Sequence, residues 1–184
     1  MFEALDRWDK KFLFLINESN NELWDKLMVF CSRTDVWIPL YLLIFLLLVK
    51  IYRKEAALIL LMIAFMIGTS DAFTSRVIKP LVKRPRPCHE FAASLHLPDG
   101  CGGAYGFVSS HASNTFALTF FLFLLGGRSP LYLLMFIWTF TVSYSRVYLG
   151  VHYPGDVIFG SLIGMIISVI YFNIYQKLSK KYFG

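Results

Sequence analysis

Five long apolar segments, separated by short polar stretches, restrict the fold of this chain more than any other feature. A helix needs about 20 residues, within a range of roughly 17–25, to cross the hydrocarbon core of a bilayer. The segments are close to that length, so the sequence predicts an all-α integral membrane bundle with about five transmembrane helices. The predicted spans cover residues 36–52, 56–78, 111–127, 131–144 and 157–175.

Composition supports the same environment. Charged residues make up 16% of the 184 residues, whereas a soluble domain carries about 25%. The formal net charge is +6, but the basic residues lie between apolar segments and not along one wettable face. This arrangement argues against nucleic-acid binding and favours membrane anchoring and anion binding.

Residues 1–35 predict two amphipathic helices that lie in the membrane interface. Apolar side chains recur at helical spacing in both halves of this segment, with charged residues between them. A sixth span from Phe12 to Phe30 would place Glu18, Glu22 and Asp25 in hydrocarbon, at a large cost. We therefore predict one domain over 1–184, with interfacial helices in 1–35, a transmembrane core over 36–178 and an outer loop over 80–110.

The loops predict the orientation. The turn with Lys50, Arg53 and Lys54, the turn with Arg128, and the basic tail at 177–181 fall on one side of the predicted bundle. Basic loops favour the cytoplasmic side. The opposite side carries more Lys and Arg in total, but several of these residues belong to the predicted site. The first residues mix acids with bases and lack a continuous apolar core, so no cleavable signal peptide is predicted.

Three separate polar stretches converge at the opposite level of the predicted bundle. Charged side chains are costly at a bilayer edge, so their convergence indicates function, although a single Lys or Arg there is usually an anchor. The first stretch contributes Lys79 and Arg86, and the second opens the third span. The whole set comprises Lys79, Arg86, Ser109, Ser110, His111, Arg146, His152 and Asp156.

The residue types predict phosphoryl chemistry. Three cations can bind a phosphate dianion and the charge that spreads over it in the transition state. The amides at the start of the third span can bind an anion as well. His152 and Asp156 are four residues apart, which predicts one helical face, and a carboxylate fixes the imidazole tautomer and leaves the other nitrogen free to attack. His111 then remains as the general acid.

At these residues the sequence resembles the type 2 phosphatidic acid phosphatase (PAP2) superfamily. The family pattern is K-x6-RP, then PSGH, then SR-x5-H-x3-D. The first motif is matched by Lys79 to Pro87 and the third by Ser145 to Asp156, both with full internal spacing. In the middle motif Ser109 and His111 are kept, whereas Val108 replaces proline and Ser110 replaces the glycine.

The resemblance implies a metal-free and cofactor-free membrane phosphatase that acts on a lipid phosphate or pyrophosphate. It implies a phosphohistidine on His152, oriented by Asp156, with His111 protonating the leaving group. The other motif residues would bind phosphate: Lys79, Arg86, Ser109, Ser110 and Arg146. Family substrates include phosphatidic acid, phosphatidylglycerol phosphate, undecaprenyl pyrophosphate and lipid A phosphate. We expect a bacterial inner (cytoplasmic) membrane protein with its site on the extracytoplasmic side.

Other functions stay open at this point. A lipid phosphotransferase would use the same site, and a non-catalytic lipid binder or transporter would need the cations but not the His152–Asp156 pair. A vanadate-dependent haloperoxidase has a similar site, but those enzymes are soluble, which five apolar spans contradict.

Three further features have alternative interpretations. Lys83 and Arg84 add positive charge beside the site, either to attract headgroups or to cap the span. The small-xxx-small pair at Gly160 and Gly164 predicts close helix packing. The loop with Cys88, His89, His96 and Cys101 matches no zinc spacing, and its two cysteines form either a disulfide or two buried free thiols.

Overall fold

The structure, a computed structural model, describes residues 2–126 and 130–184, and within these ranges its long elements are all helices. An isolated antiparallel bridge joins Pro85 to Tyr105. The helices are α1 (Phe2–Asn17), α2 (Glu22–Ser32), α3 (Ile38–Tyr52), α4 (Ala56–Ala72), α5 (Lys79–Val82), α6 (Pro87–Glu90), α7 (Ser110–Gly126), α8 (Pro130–Tyr148) and α9 (Pro154–Tyr182).

The predicted all-helical fold is confirmed, and each predicted span corresponds to a helix. By length and composition, two segments of the described chain could cross a membrane, Asp35–Val82 and Pro154–Tyr182. The first contains α3 and α4 with a short 3-10 turn between them, and the second is α9. The α7 and α8 helices are 17 and 19 residues long. Helix α9, with 29 residues, is longer at both ends than the predicted 157–175.

Helix α7 lies at the centre of the bundle, packed against α4, α8 and α9. Its closest neighbour is α9, because glycine there lets the two backbones touch. A Cβ atom at Gly160 would lie 2.5 Å from the Ser109 carbonyl oxygen, and one at Gly164 would overlap the Ser113 carbonyl. The packing function predicted for these glycines is therefore confirmed, and it fixes the start of α7 against the start of α9.

The two amphipathic N-terminal helices are also present, packed against the site end of α8 and α9. Leu13 of α1 is fully buried in a cluster with Leu95, Val147 and Tyr153. Asn17 donates to the backbone carbonyls of His96 and Tyr148, each across 2.8 Å. Helix α1 is thus docked on the bundle, and its position in a membrane interface stays a prediction.

The opposite end of the bundle carries the basic turn and tail. Glu55, in the turn between α3 and α4, accepts hydrogen bonds from Tyr175 at 2.7 Å and Ser179 at 2.6 Å. This contact places the turn beside the C-terminal end of α9, as the predicted topology requires. Arg128, also assigned to this side, lies outside the described residues.

Candidate active site

The first motif is positioned by a change in helical winding. Residues Phe73–Ile78 form a π-helix after α4, and the short α5 helix begins at Lys79. Lys83 then ends α5 in the left-handed conformation, with φ of 53°, and the chain turns into the outer loop. Arg86 donates its backbone N–H to Ala104 across 3.2 Å, beside the Pro85–Tyr105 bridge. The loop base therefore holds Arg86 next to the helix ends.

The second motif begins helix α7. The Ser109 hydroxyl accepts from the Ala112 amide at 3.5 Å, and the Ser109 amide donates to the Asp156 carbonyl at 2.9 Å. The first amides of a helix have no intrahelical partner, which leaves those of Ser110 and His111 suited to an anion. Ser109 is fully buried and connects the second motif to the third.

Ser110, where the family pattern has glycine, directs its hydroxyl to the first motif. Its oxygen lies 3.1 Å from Lys79 Nζ, 2.9 Å from Thr74 Oγ1 and 3.1 Å from Ser75 Oγ. Ser110 therefore accepts a hydrogen bond from the Lys79 ammonium group, and its hydroxyl connects the π-helix to the start of α7.

The third motif places a histidine between an arginine and an aspartate. His152 is 1% exposed, and its Nε2 lies 3.3 Å from Arg86 Nη1 while its Nδ1 lies 3.4 Å from Asp156 Oδ2. A guanidinium nitrogen can only donate, so this contact assigns the lone pair to Nε2 and the proton to Nδ1. The arrangement leaves a nucleophilic nitrogen on the side of the cations.

The reason for the His152–Asp156 contact differs from the predicted one. Helix α9 begins at Pro154, so His152 precedes the helix and the two residues do not share a helical face. Asp156 instead turns back as part of the N-terminal cap, where its Oδ2 accepts from the Tyr153 amide at 3.0 Å. The cap brings the carboxylate to the imidazole.

Close packing supports this pair on its other side. A Cβ atom at Gly106 would lie 2.9 Å from Asp156 Oδ2. Burial, followed by the nearby positive charges of Arg86 and Arg146, lowers the pKa of His152 well below its usual range. The imidazole is therefore neutral and able to act as a base or nucleophile at neutral pH.

Six of the eight predicted residues line one cavity of about 670 Å³. Ser109 and Asp156 are not among the lining residues and are fully buried. Burial also lowers the pKa of Arg86. The Nε atoms of Arg86 and Arg146 are buried donors with no hydrogen-bond partner among the described residues. The six lining residues are Lys79, Arg86, Ser110, His111, Arg146 and His152.

The cavity extends from this polar end into an apolar interior. Its apolar wall comes from α3, α4, α7 and α8 and includes Tyr41, Leu48, Ile63, Leu118 and Trp138. An anion and an attached apolar chain could therefore occupy one continuous space.

The sequence places Arg84 beside the site, but it does not indicate the partners of Arg84 or the contact from Ser32. Arg84 is bound to Asp156 and Asp9, so it neither caps the span nor stays free for headgroups. Ser32, at the end of α2, accepts a hydrogen bond from Arg146 Nη1. These contacts join residues more than 70 positions apart, and no local pattern could have indicated them.

The outer loop contains a disulfide between Cys88 and Cys101, with Cα atoms 5.7 Å apart. Of the two alternatives left open for these cysteines, the disulfide is the one the structure contains. His89 lies beside the pair, and its Nε2 is 3.1 Å from the Gly102 carbonyl oxygen. The other histidine of the loop, His96, has a different partner, since its Nε2 lies 2.8 Å from Asp25 Oδ2.

Comparisons with known proteins confirm the predicted family. Residues 57–180 match the PAP2 superfamily. The chain is 34% identical to a lipid A 4'-phosphatase from Bacteroides thetaiotaomicron, over 98% of this chain and 83% of that protein. It is 37% identical to an undecaprenyl-diphosphatase from Sulfolobus acidocaldarius, over 85% of this chain and 73% of that protein.

A solved structure confirms the fold. A PAP2-type phosphatidylglycerolphosphate phosphatase from Bacillus subtilis superposes with a TM-score of 0.71, at 24% identity. The match covers 95% of this chain and 87% of that one. At this identity the likeness concerns the fold alone.

Proposed function

The chain belongs to the PAP2 superfamily, and on this basis we propose that it hydrolyses a lipid phosphate through a phosphohistidine on His152. The observation that carries the proposal is the orientation of the imidazole. Nδ1 faces Asp156, while Nε2 faces Arg86 and the cavity. A non-catalytic lipid binder would need the cations of the cavity but not this buried pair.

In the first step, Nε2 of His152 attacks phosphorus. The bond from phosphorus to the lipid oxygen breaks, and His111 gives that oxygen a proton. Asp156 stabilises the positive charge on the phosphohistidine through the proton on Nδ1. Lys79, Arg86 and Arg146 stabilise the charge on the equatorial oxygens, a role that metal ions have in many phosphoryl transfers.

In the second step, His111 takes a proton from water, and the water oxygen attacks phosphorus. The nitrogen–phosphorus bond breaks, which releases inorganic phosphate and regenerates neutral His152. The unpartnered Nε donors of Arg86 and Arg146 support an oxyanion site, since a phosphoryl oxygen would satisfy them. A phosphotransferase would differ only in this step, with an acceptor hydroxyl in place of water.

The proposed substrate is the phosphate monoester of lipid A. The relative that aligns with 98% of this chain is a lipid A 4'-phosphatase. The continuity of the polar end with an apolar interior suits a phosphate on a lipid. The undecaprenyl-diphosphatase relative makes a polyprenyl diphosphate the second candidate.

A substrate panel tests both parts of the proposal. Purified protein in detergent is incubated with lipid A, undecaprenyl diphosphate, phosphatidic acid and glycerol phosphate, with His152→Ala as the control. We expect phosphate release from lipid A, loss of one phosphate at the 4' position by mass spectrometry, and no release from glycerol phosphate. Faster release from the diphosphate would change the substrate, and the absence of release from any lipid would contradict the phosphatase.

We place the site on the extracytoplasmic side of a bacterial inner membrane, with α1 and α2 in the interface. The basic turn at 53–55 and the basic end of α9 lie at the bundle end away from the site, which supports this orientation. In intact spheroplasts, a membrane-impermeant maleimide should label an Asp99→Cys variant and not a Lys181→Cys variant. The reverse pattern would invert the topology.

A further inference from the structure

We propose that helix α1 contributes to catalysis, because its residue Asp9 acts together with Arg84 to position the Asp156 carboxylate, which orients His152. This inference rests on the proposed function, and it identifies Arg84 as a positioning residue and not a binder of headgroups. Helix α1 would then support catalysis, whereas its amphipathic pattern predicts only a location in the membrane interface.

Arg84 forms a bridge between α1 and the third motif. Its Nη1 donates to Asp156 Oδ1 across 2.9 Å, and its Nη2 lies 2.7 Å from Asp9 Oδ2. The guanidinium carbon also lies 3.8 Å from the centre of the Tyr153 ring, within the range of a cation–π contact. Arg84 is thus fixed on three sides and faces away from bulk water, with 21% of its side chain exposed.

Asp9 has a second contact, with the first turn of α9. Its Oδ1 accepts from the Gly155 amide at 2.7 Å. A Cβ atom at position 155 would lie 2.9 Å from Asp9 Oδ2, so this approach requires a glycine. The carboxylate of Asp9 therefore holds both Arg84 and the helix start that carries Asp156.

A second bridge closes the network around Tyr153. Lys10, the neighbour of Asp9 on α1, lies 2.9 Å from Glu90, and Glu90 accepts from the Tyr153 hydroxyl at 2.6 Å. Hydrogen bonds with Glu90 and Asp6 raise the pKa of Lys10. Two adjacent charged residues of α1 are thus linked to Tyr153, Asp9 through Arg84 and Lys10 through Glu90.

The contact from Arg84 helps to fix the orientation of the Asp156 carboxylate. Its carboxylate is fully buried, and its partners are Arg84, the Tyr153 amide and His152. A buried carboxylate that loses its cation is strongly disfavoured, so it must rotate or take up a proton. Either change weakens the partner of Nδ1, and the nucleophile then loses its fixed tautomer.

The test compares Arg84→Gln with Lys83→Gln, which removes the same charge from the exposed adjacent position. We expect the Arg84 variant to lose about 10²-fold in kcat, the effect of a small displacement of a catalytic group. KM should stay near the wild-type value, and Arg84→Lys should recover part of the loss. Asp9→Asn should lower kcat in the same direction, and Lys83→Gln should leave it unchanged.

A readout independent of turnover separates this inference from the proposed reaction. In protein labelled with ¹⁵N-histidine, the nitrogen shifts should show the Nδ1-protonated tautomer of His152 in the wild type and in Lys83→Gln. They should show a mixture in Arg84→Gln, with the His152→Ala spectrum giving the assignment. This comparison stands even if the wild-type protein releases no phosphate.

Two results would overturn the inference. Wild-type kcat and an unchanged His152 tautomer in Arg84→Gln would show that Arg84 does not position the pair. A rise in KM without a change in kcat would show that Arg84 attracts the substrate instead. Thermal unfolding of each variant in detergent separates these effects from misfolding, and Asp9→Asn provides the test if Arg84→Gln does not fold.

Discussion

Lys79 Nζ donates a hydrogen bond to Ser110 Oγ across 3.1 Å, so the residue that replaces the glycine of the family motif holds the first cation of the site. The serine side chain points towards α4 and the π-helix, where Thr74 and Ser75 also contact its hydroxyl. The departure from the family pattern thus changes how the lysine is held and not the number of charges around the phosphate.

We predict that Ser110→Ala weakens substrate binding. A hydrogen bond to a charged group contributes about 1.5–3 kcal/mol, so its loss should lower kcat/KM by roughly tenfold or more. Steady-state phosphate release measures the effect. Ser113→Ala is the matched control, since the Ser113 hydroxyl contacts Ser70, without a cation. Equal losses in both variants would assign the serines to packing.

We predict that His152→Ala abolishes turnover, whereas His111→Ala accumulates phosphoenzyme when the leaving group is good. An aryl oxygen needs little protonation, but hydrolysis of the phosphohistidine needs a base to activate water. Labelling with a radioactive aryl phosphate should give acid-labile, base-stable label in His111→Ala and none in His152→Ala. If more than a tenth of the rate survived in His152→Ala, the nucleophile would be another residue.

Much of this site could be predicted because its residues carry charge into an apolar sequence. A lysine or arginine at the end of a predicted span is easily recognised, and the fixed spacing and order of the three motifs identify which of these residues belong to the site. The helices could be predicted because the apolar segments are long and are separated by short polar stretches. The ends were less accurate: α9 starts three residues before the predicted Val157, because Tyr153 and Asp156 form a cap.

The contacts that hold the site could not be predicted. The π-helix before Lys79 has no local sequence signal, and the pairing of Arg84 with Asp9 joins residues 75 positions apart. The His152–Asp156 spacing suggested a shared helical face, but a helix cap produces the contact. Spacing of four residues indicates proximity in both geometries, so sequence alone does not distinguish them.

We predict that the acid limb of kcat/KM lies below about 6.5, the ordinary pKa of histidine. The depressed pKa of His152 keeps the nucleophile neutral as the pH falls, and activity is lost only when the pH reaches the folded-state value. The free energy of unfolding also decreases as the pH falls below about 6.5, because His152 in the unfolded chain is protonated there while the folded chain still holds it neutral. Initial rates over an acidic pH series check this, and an acid limb above 6.5 would contradict a neutral buried nucleophile.

We predict that activity survives EDTA. Lys79, Arg86 and Arg146 supply the positive charge that a metal would otherwise provide, and they line the same cavity as His152. Phosphate release should be equal before and after dialysis against the chelator. Loss of activity that one added metal restores would instead show that the reaction depends on a bound metal ion.

Finally, we predict that the Cys88–Cys101 disulfide stabilises the outer loop and, through it, the position of Arg86. Gly102, next to the second cysteine, lies beside the Arg86 guanidinium, and a Cβ atom at this position would lie 3.4 Å from the guanidinium carbon. Closing a loop of this size contributes roughly 3 kcal/mol in the chain-entropy model. Alkylation without reductant should leave both cysteines unlabelled, and the double serine variant should unfold at lower temperature with a higher KM. The buried free Cys31 is the internal control, because denaturation should expose it to the reagent in the same sample. Alkyl label on both loop cysteines would show that the disulfide does not form and would also weaken the extracytoplasmic orientation.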